Sequence, residues 1–165
     1  MASRRIAVYP GSFNPWHEGH DDVLFKAAPL FDTIVVAQGW NPDKPKPPRL
    51  DPSCVAPIAP QYILDKLTFA MFSGFLHEFV EKVGATAVIR GLRNGDDFEK
   101  ELVQQRYYED LGLVVPVLYF IADRKLAHVS SSGIRAIQKL KEDYRGQVGN
   151  GLYTPRGLPR KALPR

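Results

Sequence analysis

Short apolar runs alternate with amphipathic segments along most of this chain, and that alternation predicts an α/β protein. Continuous apolar runs predict buried strands at residues 5–9, 33–38, 67–72, 85–90 and 114–121. Apolar positions at helical spacing predict helices at residues 20–31, 75–83, 96–111 and 133–144. Because strands alternate with helices and the second strand is apolar throughout, we expect a doubly wound, five-stranded parallel sheet in a single domain.

Glycine, proline and acidic residues predict where several of these elements begin or end. Pro10-Gly11 predicts a turn after the first strand, and Gly91 is expected to end the fourth. Pro29 falls late in the first helix and is expected to kink or end it. Asp96 or Asp97 is the expected cap of the charged helix that follows the fourth strand.

Two segments depart from the alternating pattern. Residues 41–60 contain seven prolines, which predicts a long surface loop, since proline removes backbone hydrogen-bond donors. The stretch 145–165 is rich in glycine, proline and basic residues, which predicts an extended or disordered tail. We therefore divide the chain into one domain at 1–144 and a C-terminal tail at 145–165.

The composition of the 165 residues is that of an ordinary globular protein, with 44% hydrophobic and 24% charged residues. The net charge of +4 suits a polyanion such as nucleotide phosphates, nucleic acid or a membrane surface, and it is equally consistent with a role in solubility alone. The single cysteine, Cys54, excludes an intramolecular disulfide. No apolar run approaches the length of a membrane span, so we expect a cytoplasmic protein.

Three groups of polar residues follow the first, fourth and fifth predicted strands, at the sheet edge where parallel folds bind ligands. The first group, residues 11–20, reads Gly-Ser-Phe-Asn-Pro-Trp-His-Glu-Gly-His. Gly11 allows a close backbone turn, while His17 and His20 converge if His20 lies in the first helical turn. Imidazole donors at a helix N-terminus suit phosphoryl-type transfer, which needs positioning and charge neutralisation. The alternatives are a zinc site or two surface histidines. The other two histidines have no companion at metal spacing, so no metal-binding residues are expected.

The other two groups also suit anions. Arg90 and Arg93 flank Gly91 after the fourth strand, and two arginines there can make bidentate contacts to phosphate. Residues 129–135 read Val-Ser-Ser-Ser-Gly-Ile-Arg, and serine hydroxyls with free amides at a helix start can cradle a phosphate that Arg135 also reaches. The alternatives are two solvated arginines and a plain helix cap, although a cap needs only one serine.

Together these residues resemble the signatures of a known superfamily. Gly-Ser-Phe-Asn-Pro followed by His-x-Gly-His, and the later Ser-Ser-Ser-x-x-Arg, resemble the two signatures of nucleotidyltransferases with a Rossmann-like fold. Residues 89–101, Ile-Arg-Gly-Leu-Arg-Asn-Gly-Asp-Asp-Phe-Glu-Lys-Glu, and Asn-Pro-Asp-Lys at 41–44 are similar to the phosphopantetheine adenylyltransferase family. The resemblance implies adenylyl transfer from ATP to 4′-phosphopantetheine, giving dephospho-coenzyme A and pyrophosphate in coenzyme A biosynthesis.

The resemblance also implies roles for individual residues. Catalysis would fall to His17, His20, Lys44 and Arg93, with His20 stabilising the transition state at the α-phosphate. The nucleotide would be bound by Gly11, Ser12, Phe13, His20, Gly91, Arg93, Glu101, Val129, Ser130, Ser131, Ser132 and Arg135. The acceptor would contact Ser12, Lys44, Phe75, Leu76, Arg90, Gln104, Tyr107 and Tyr108. Mg²⁺, held largely by phosphates and water, would neutralise the pyrophosphate, and the family's assembly is a homohexamer.

Departures from the family pattern leave the acceptor open. The helix after Glu101 reads Leu-Val-Gln-Gln-Arg-Tyr-Tyr, where the family is more often apolar and lines the pantetheine pocket. The proline-rich segment and the tail replace family helices, and His17 stands where the family commonly has threonine. The alternatives are transfer to another phosphorylated acceptor (nicotinamide mononucleotide, or a sugar or alditol phosphate), a non-catalytic nucleotide-binding module, and weak nucleic-acid binding by the tail. The choice between ATP and CTP and the oligomeric state stay open as well.

Overall fold

The computed structural model describes residues 3–55 and 59–147 and contains the predicted alternation of strands and helices. The strands are β1 (Ile6–Gly11), β2 (Thr33–Gly39), β3 (Leu67–Phe72), β4 (Ala87–Leu92) and β5 (Val117–Ile121). The helices are α1 (Glu18–Ala27), α2 (Gln61–Leu64), α3 (Leu76–Lys82), α4 (Gly95–Asp110) and α5 (Ser131–Gln147). Short 3₁₀ turns lie at Ala28–Leu30, Pro52–Cys54 and Arg124–Leu126.

The five strands form one parallel sheet in the order β3-β2-β1-β4-β5. From β1 the chain passes through α1 to β2, and after β3 it returns through α3 to β4 on the other side of β1. The strand order therefore reverses between β1 and β4, and the crevice at their carboxyl ends is the place where such sheets bind ligands. The predicted five-stranded, doubly wound parallel sheet is confirmed.

The core lies on both faces of this sheet, because successive side chains of a strand point to opposite sides. In β1, Ala7 and Tyr9 belong to one buried group and Val8, between them, belongs to the other. Leu24 of α1 packs in the first group, and Val80 of α3 packs in the second. Helices thus cover both faces, as expected for a parallel sheet whose central strands carry continuous apolar runs.

Two predicted strand ends were wrong. Pro10 and Gly11 continue β1 rather than forming a turn, and Gly11 pairs with Gln38 of β2. Gly91 lies inside β4 rather than after it. A Cβ at Gly91 would lie 2.8 Å from Cγ2 of Val23, so this glycine permits close packing of α1 on the strand and does not mark a turn.

Helix boundaries also differ from the predictions in part. The cap of α4 is Asn94, whose side chain accepts a hydrogen bond from the Asp97 backbone at 2.9 Å, and is neither Asp96 nor Asp97. As predicted, the first helix ends near Pro29, which lies in the 3₁₀ turn after Ala27. The last helix begins at Ser131 rather than 133 and continues to Gln147, past the proposed domain end at 144. The predicted tail beyond Gln147 lies outside the described residues.

In its described residues, 41–55 and 59–60, the proline-rich segment is a loop, as predicted, with one 3₁₀ turn. Leu50 and Val55 anchor this segment by packing in the buried group that contains Ala7 and Tyr9. Within 3–55 and 59–147, no helix is long and apolar enough to cross a membrane.

Candidate active site

A cleft of about 390 Å³ lies at the carboxyl ends of β1 and β4. Three predicted groups of polar residues converge on it, one from the loop between β1 and α1, one from the end of β4 with α4, and one from the start of α5. The predicted site residues that line it are Gly11, Ser12, Phe13, His17, His20, Arg90, Gly91, Arg93, Glu101, Ser130, Ser131, Ser132 and Arg135. The topology therefore unites residues that are more than a hundred positions apart in the sequence.

His17 and His20 form a reciprocal cap at the start of α1. The backbone N–H of Gly19 donates to Nδ1 of His17, and the backbone N–H of His17 donates to Nδ1 of His20, both at 3.2 Å. The two imidazoles stack with centroids 3.7 Å apart and planes 20° apart. A Cβ at Gly19 would lie 3.1 Å from the His17 ring, so the small residue between the histidines permits this arrangement.

Both histidines are neutral near pH 7. Burial, the neighbouring His17 and Arg93 lower the pKa of His20 to about 3. Burial and Arg93 also lower the pKa of His17. Because Nδ1 of each ring accepts a backbone hydrogen bond, the neutral rings carry their hydrogen on Nε2. His20 is thus held as an Nε2–H donor at a helix N-terminus, a position that favours an anion.

Aromatic rings pack around His20 and leave it half-buried. The rings of Phe13 and Trp16 each lie 5.1 Å from the His20 ring, and that of Tyr9 lies at 6.4 Å. Trp16 is held in turn by Asp21, a buried carboxylate that accepts a hydrogen bond from the indole Nε1 at 2.7 Å. The low polarity of these surroundings strengthens any hydrogen bond between His20 and a charged ligand.

Each arginine of the second group is fixed by a carboxylate of α4. Arg90 donates to both oxygens of Glu101, at 2.7 Å from Nε and 2.5 Å from Nη2. Arg93 donates to both oxygens of Asp97, at 2.7 and 2.9 Å. Glu101 was expected to act with Arg93 on the nucleotide, but the structure pairs it with Arg90.

These pairs keep both guanidiniums charged and oriented. Burial alone would lower the pKa of Arg90, but the hydrogen bonds and charge of Glu101 outweigh it and the pKa is raised. The hydrogen bond to Asp97 raises the pKa of Arg93, while Arg93 lowers the pKa of Asp97. Two fixed positive groups therefore line the cleft beside the histidine pair.

The start of α5 docks onto the loop that carries the histidines. Oγ of Ser130 caps the helix by accepting the Gly133 N–H at 3.1 Å, which is the plain role considered from the sequence. Oγ of Ser131 donates to the Pro15 carbonyl at 2.9 Å, and Arg135 donates to the carbonyl of Asn14. One serine is thus a cap, while Ser131 and Arg135 join two walls of the cleft. Val129 lies beside the cleft, where its carbonyl accepts from Arg93 at 3.4 Å.

Most of the residues expected to contact an acceptor lie outside this cleft. Lys44 is exposed on the proline-rich loop, and Gln104 and Tyr107 are exposed on α4. Leu76 is only 5% exposed and packs in the core, so its side chain is covered where the prediction had it contact an acceptor. Phe75 borders a separate cavity of about 340 Å³ after β3, together with Met71, Phe72, Ser73, Glu78, Phe79 and Lys82. Tyr108 is half-buried and packs against the second core group.

Several residues of the cleft were missed from the sequence. They are Tyr9, Pro10, Gly19, Val23, Asp97, Lys100 and Ala122. Asp97 had a usable signal, since it lies four residues after Arg93, at helical pairing distance. Ala122 had none, because its place in the cleft depends only on where β5 lies in the sheet.

In chemical terms the cleft is a site for a phosphate-rich ligand. It combines neutral imidazole donors, two fixed guanidiniums, helix N-termini and hydroxyls, while its carboxylates are already engaged by arginines. Such a site can position a polyphosphate and stabilise negative charge that builds up during transfer.

Known proteins are similar to this chain over most of its length. A family model described as cytidylyltransferase-like matches residues 8–137. A phosphopantetheine adenylyltransferase from Cytophaga hutchinsonii is 34% identical over 148 residues, which cover 86% of this chain and 95% of that protein. Proteins of the same name from Rubrobacter xylanophilus and Micrococcus luteus are 34% and 38% identical, over 89% and 84% of this chain and 90% and 88% of their own lengths.

The chain belongs to the phosphopantetheine adenylyltransferase family. It is a nucleotidyltransferase, as its motifs predicted, and the match spans nearly the whole length of its curated relatives. Among solved structures, the lipopolysaccharide core biosynthesis protein from Thermoplasma volcanium GSS1 is 20% identical at a TM-score of 0.48, covering 73% of this chain and 99% of that chain. No conclusion rests on that weaker likeness.

Proposed function

We propose that this nucleotidyltransferase transfers the adenylyl group of ATP to 4′-phosphopantetheine, giving dephospho-coenzyme A and pyrophosphate. Family membership supports the reaction, and the observation that carries it in the structure is the neutral His20, held as an Nε2–H donor inside the cleft. No feature of the described residues favours one of the other acceptors considered from the sequence.

In the proposed reaction a phosphate oxygen of the acceptor attacks the α-phosphorus of ATP. The bond from that phosphorus to the bridging oxygen of the β-phosphate breaks, and pyrophosphate leaves. Nε2–H of His20 donates to a non-bridging oxygen of the α-phosphate, where negative charge builds up in the transition state. No protein nucleophile or proton transfer is needed, which agrees with a histidine whose lowered pKa keeps it neutral near pH 7.

The remaining cleft residues are proposed to hold the two substrates. Arg93, fixed by Asp97, and the start of α5 at 130–132 would bind the triphosphate. Arg90 would bind the phosphate of the acceptor, and Glu101 would set its direction. Lys44 would reach the reacting phosphates from the proline-rich loop once the substrates are present.

We propose that ATP is used with Mg²⁺ and that the metal is held by phosphate oxygens and water. In the described residues the cleft is lined by two carboxylates, Asp97 and Glu101. Each accepts two hydrogen bonds from an arginine guanidinium, and Asp97 also accepts the Arg93 backbone N–H, so neither is free to ligate a cation. In the described ranges no cluster of three or more His, Cys, Asp or Glu is placed to hold a metal. The hexamer and the cytoplasmic location stay predictions.

Pyrophosphate release by the purified protein tests the substrates. ATP and CTP are each combined with phosphopantetheine, nicotinamide mononucleotide and glycerol 3-phosphate, and the nucleotide product is identified by mass spectrometry. We expect release with ATP and phosphopantetheine only. Turnover with a different pair would contradict the proposed acceptor or base, and no turnover with any pair would contradict the proposed catalysis.

Two variants of His20 test the mechanism. His20→Ala removes the Nε2–H donor, and we expect turnover to fall by at least about a hundredfold, comparable with the loss of one oxyanion donor. His20→Asn separates the loss of the donor from the loss of the helix cap. Its side-chain oxygen can still accept the His17 N–H, but it has no donor at the Nε2 position. We expect the same loss in both, and near wild-type turnover of His20→Asn would contradict the donor role.

A further inference from the structure

A buried glutamine at the carboxyl end of β2 has no part in the reaction proposed above. Gln38 is 2% exposed, and in the part of the chain that the structure describes only Asp21 is a comparably buried polar or charged residue. It lies beside Gly11 in the sheet and faces the same side as Ile34 and Val36. A buried amide without hydrogen-bond partners is destabilising, so the partners of the Gln38 side chain indicate its structural role.

The side chain of Gln38 joins two loops. Nε2 donates to the carbonyl of Ser12 at 3.2 Å and to that of Pro48 at 3.1 Å. Oε1 accepts the backbone N–H of Leu50 at 2.8 Å. Both amide hydrogens and the carbonyl oxygen are therefore used, one on the loop before α1 and two on the proline-rich segment.

We propose that Gln38 is a positioning residue that fixes the Ser12–Phe13 loop and the proline-rich segment 41–50 relative to each other. This inference rests on the proposed function, because that function gives the two loops their tasks. The first loop places the Phe13 ring against His20, and the second carries Lys44.

On the first loop, Gln38 acts next to a strained residue. Phe13 has a φ of 47°, a left-handed conformation that a bulky side chain rarely adopts. The carbonyl of Ser12 belongs to the peptide group between Ser12 and Phe13. The hydrogen bond from Gln38 therefore fixes the orientation of that peptide group, on which the φ of Phe13 depends. The Phe13 ring then packs 5.1 Å from His20, so the glutamine supports the histidine through one intermediate residue.

On the second loop, Gln38 supplies the hydrogen bonds that tie the segment to the sheet. The other backbone hydrogen bonds described within 41–50 are local, from Lys44 and Asp43 to Asn41. Prolines provide no N–H, so a segment rich in them has few donors with which to fasten itself. The hydrogen bonds to Pro48 and Leu50, with the packing of Leu50, therefore determine where Lys44 is presented.

Trypsin offers a direct measure of this tether that does not depend on activity. The basic residues of the segment are Lys44, Lys46 and Arg49, and the first two precede proline, before which trypsin does not cut. Cleavage is thus confined to Arg49–Leu50, the peptide whose N–H is held by Gln38. For Gln38→Leu we expect this bond to be cut about tenfold faster, since losing the hydrogen bonds makes local opening more frequent.

Gln61→Leu is the matched control for that experiment. It removes a glutamine whose amide donates to Asp65 at 2.8 Å on the exposed face of α2, and we expect wild-type cleavage. Gln38→Glu is a second test variant, because it keeps an oxygen for the Leu50 N–H but loses both donors. Its second oxygen would face the carbonyl oxygens of Ser12 and Pro48, so we expect cleavage at least as fast as in Gln38→Leu. An unchanged rate in Gln38→Leu would overturn the tether.

A double-mutant cycle of Gln38→Leu and Lys44→Ala tests the positioning role through kcat/KM. In the wild-type background we expect Lys44→Ala to cause a loss of about tenfold or more, as for a charged hydrogen bond to phosphate. In the Gln38→Leu background we expect a loss of at most about twofold, because the lysine is no longer presented. Equal losses in both backgrounds would overturn the positioning role.

The two assays also separate this inference from the proposed function. An inactive wild-type protein would contradict the proposed function, and full activity of Lys44→Ala would contradict the role given to the lysine. In either case the trypsin rates alone decide whether Gln38 holds the segment.

Discussion

The half-buried, neutral His20 should make the substrate-free protein sensitive to acid. Its pKa is lowered from 6.5 to about 3 on folding, so between these values the unfolded chain binds a proton that the folded chain does not. A group with a depressed pKa of this kind lowers the free energy of unfolding as the pH falls. His17, whose pKa is also lowered, acts in the same direction.

The size of the effect follows from the unfolded pKa. At pH 8 the imidazole is neutral in both the folded and the unfolded state. At pH 5, which is 1.5 units below the unfolded pKa of 6.5, the imidazole is protonated only in the unfolded state. Because each pH unit changes the free energy of unfolding by about 1.4 kcal/mol, His20 lowers it by about 2 kcal/mol. Urea unfolding at pH 8 and pH 5 measures it. His20→Asn removes the titrating group and keeps an acceptor for the His17 N–H, so its loss on acidification should be smaller by about 2 kcal/mol.

His128→Gln is the control for the loss of an imidazole, since His128 is exposed and lies outside the cleft. Other groups titrate in the same range, so only the difference between the wild-type chain and His20→Asn is interpreted. Equal losses in these two proteins between pH 8 and pH 5 would refute the assignment of His20 as a neutral donor with a lowered pKa.

Two further predictions concern how the cleft is held in shape. Glu101→Gln replaces the carboxylate that fixes Arg90, and we expect a loss of roughly 2–3 kcal/mol in urea unfolding, since hydrogen bonds to charged groups are worth that much. An unchanged stability would show that the pair contributes nothing. Gly91→Ala places a Cβ 2.8 Å from Val23, and we expect a loss of about 1–3 kcal/mol from overpacking. Combining it with Val23→Ala should relieve the clash, and a simple sum of the two single losses would contradict this explanation.

The strands and the sheet were accessible from the sequence because their signal is local and repeated. Continuous apolar runs in β1, β2 and β4 indicate burial on both faces, and burial on both faces implies a parallel sheet covered by helices. The boundaries were less accessible. Gly91 was read as a strand end because glycine commonly breaks strands, but here it serves the packing of α1, an element that lies far away in sequence.

For the candidate active site, too, some features were predictable from the sequence and others were not. The sequence by itself determined the chemistry, since His17, His20, the two arginines and the serine run are suited to phosphate wherever they lie. It could not determine which carboxylate each arginine meets, because that depends on how α4 is rotated against β4, and the structure pairs Glu101 with Arg90.

The role of Gln38 was decided by the tertiary structure alone. In the sequence it ends an apolar strand and carries no motif, and its importance comes from two loops that meet at its amide. A local sequence pattern indicates whether a residue favours a buried position, a helix or contact with an anion. Which distant backbone groups share a buried side chain depends on the packing of the whole chain, and that information exists only once the sheet has formed.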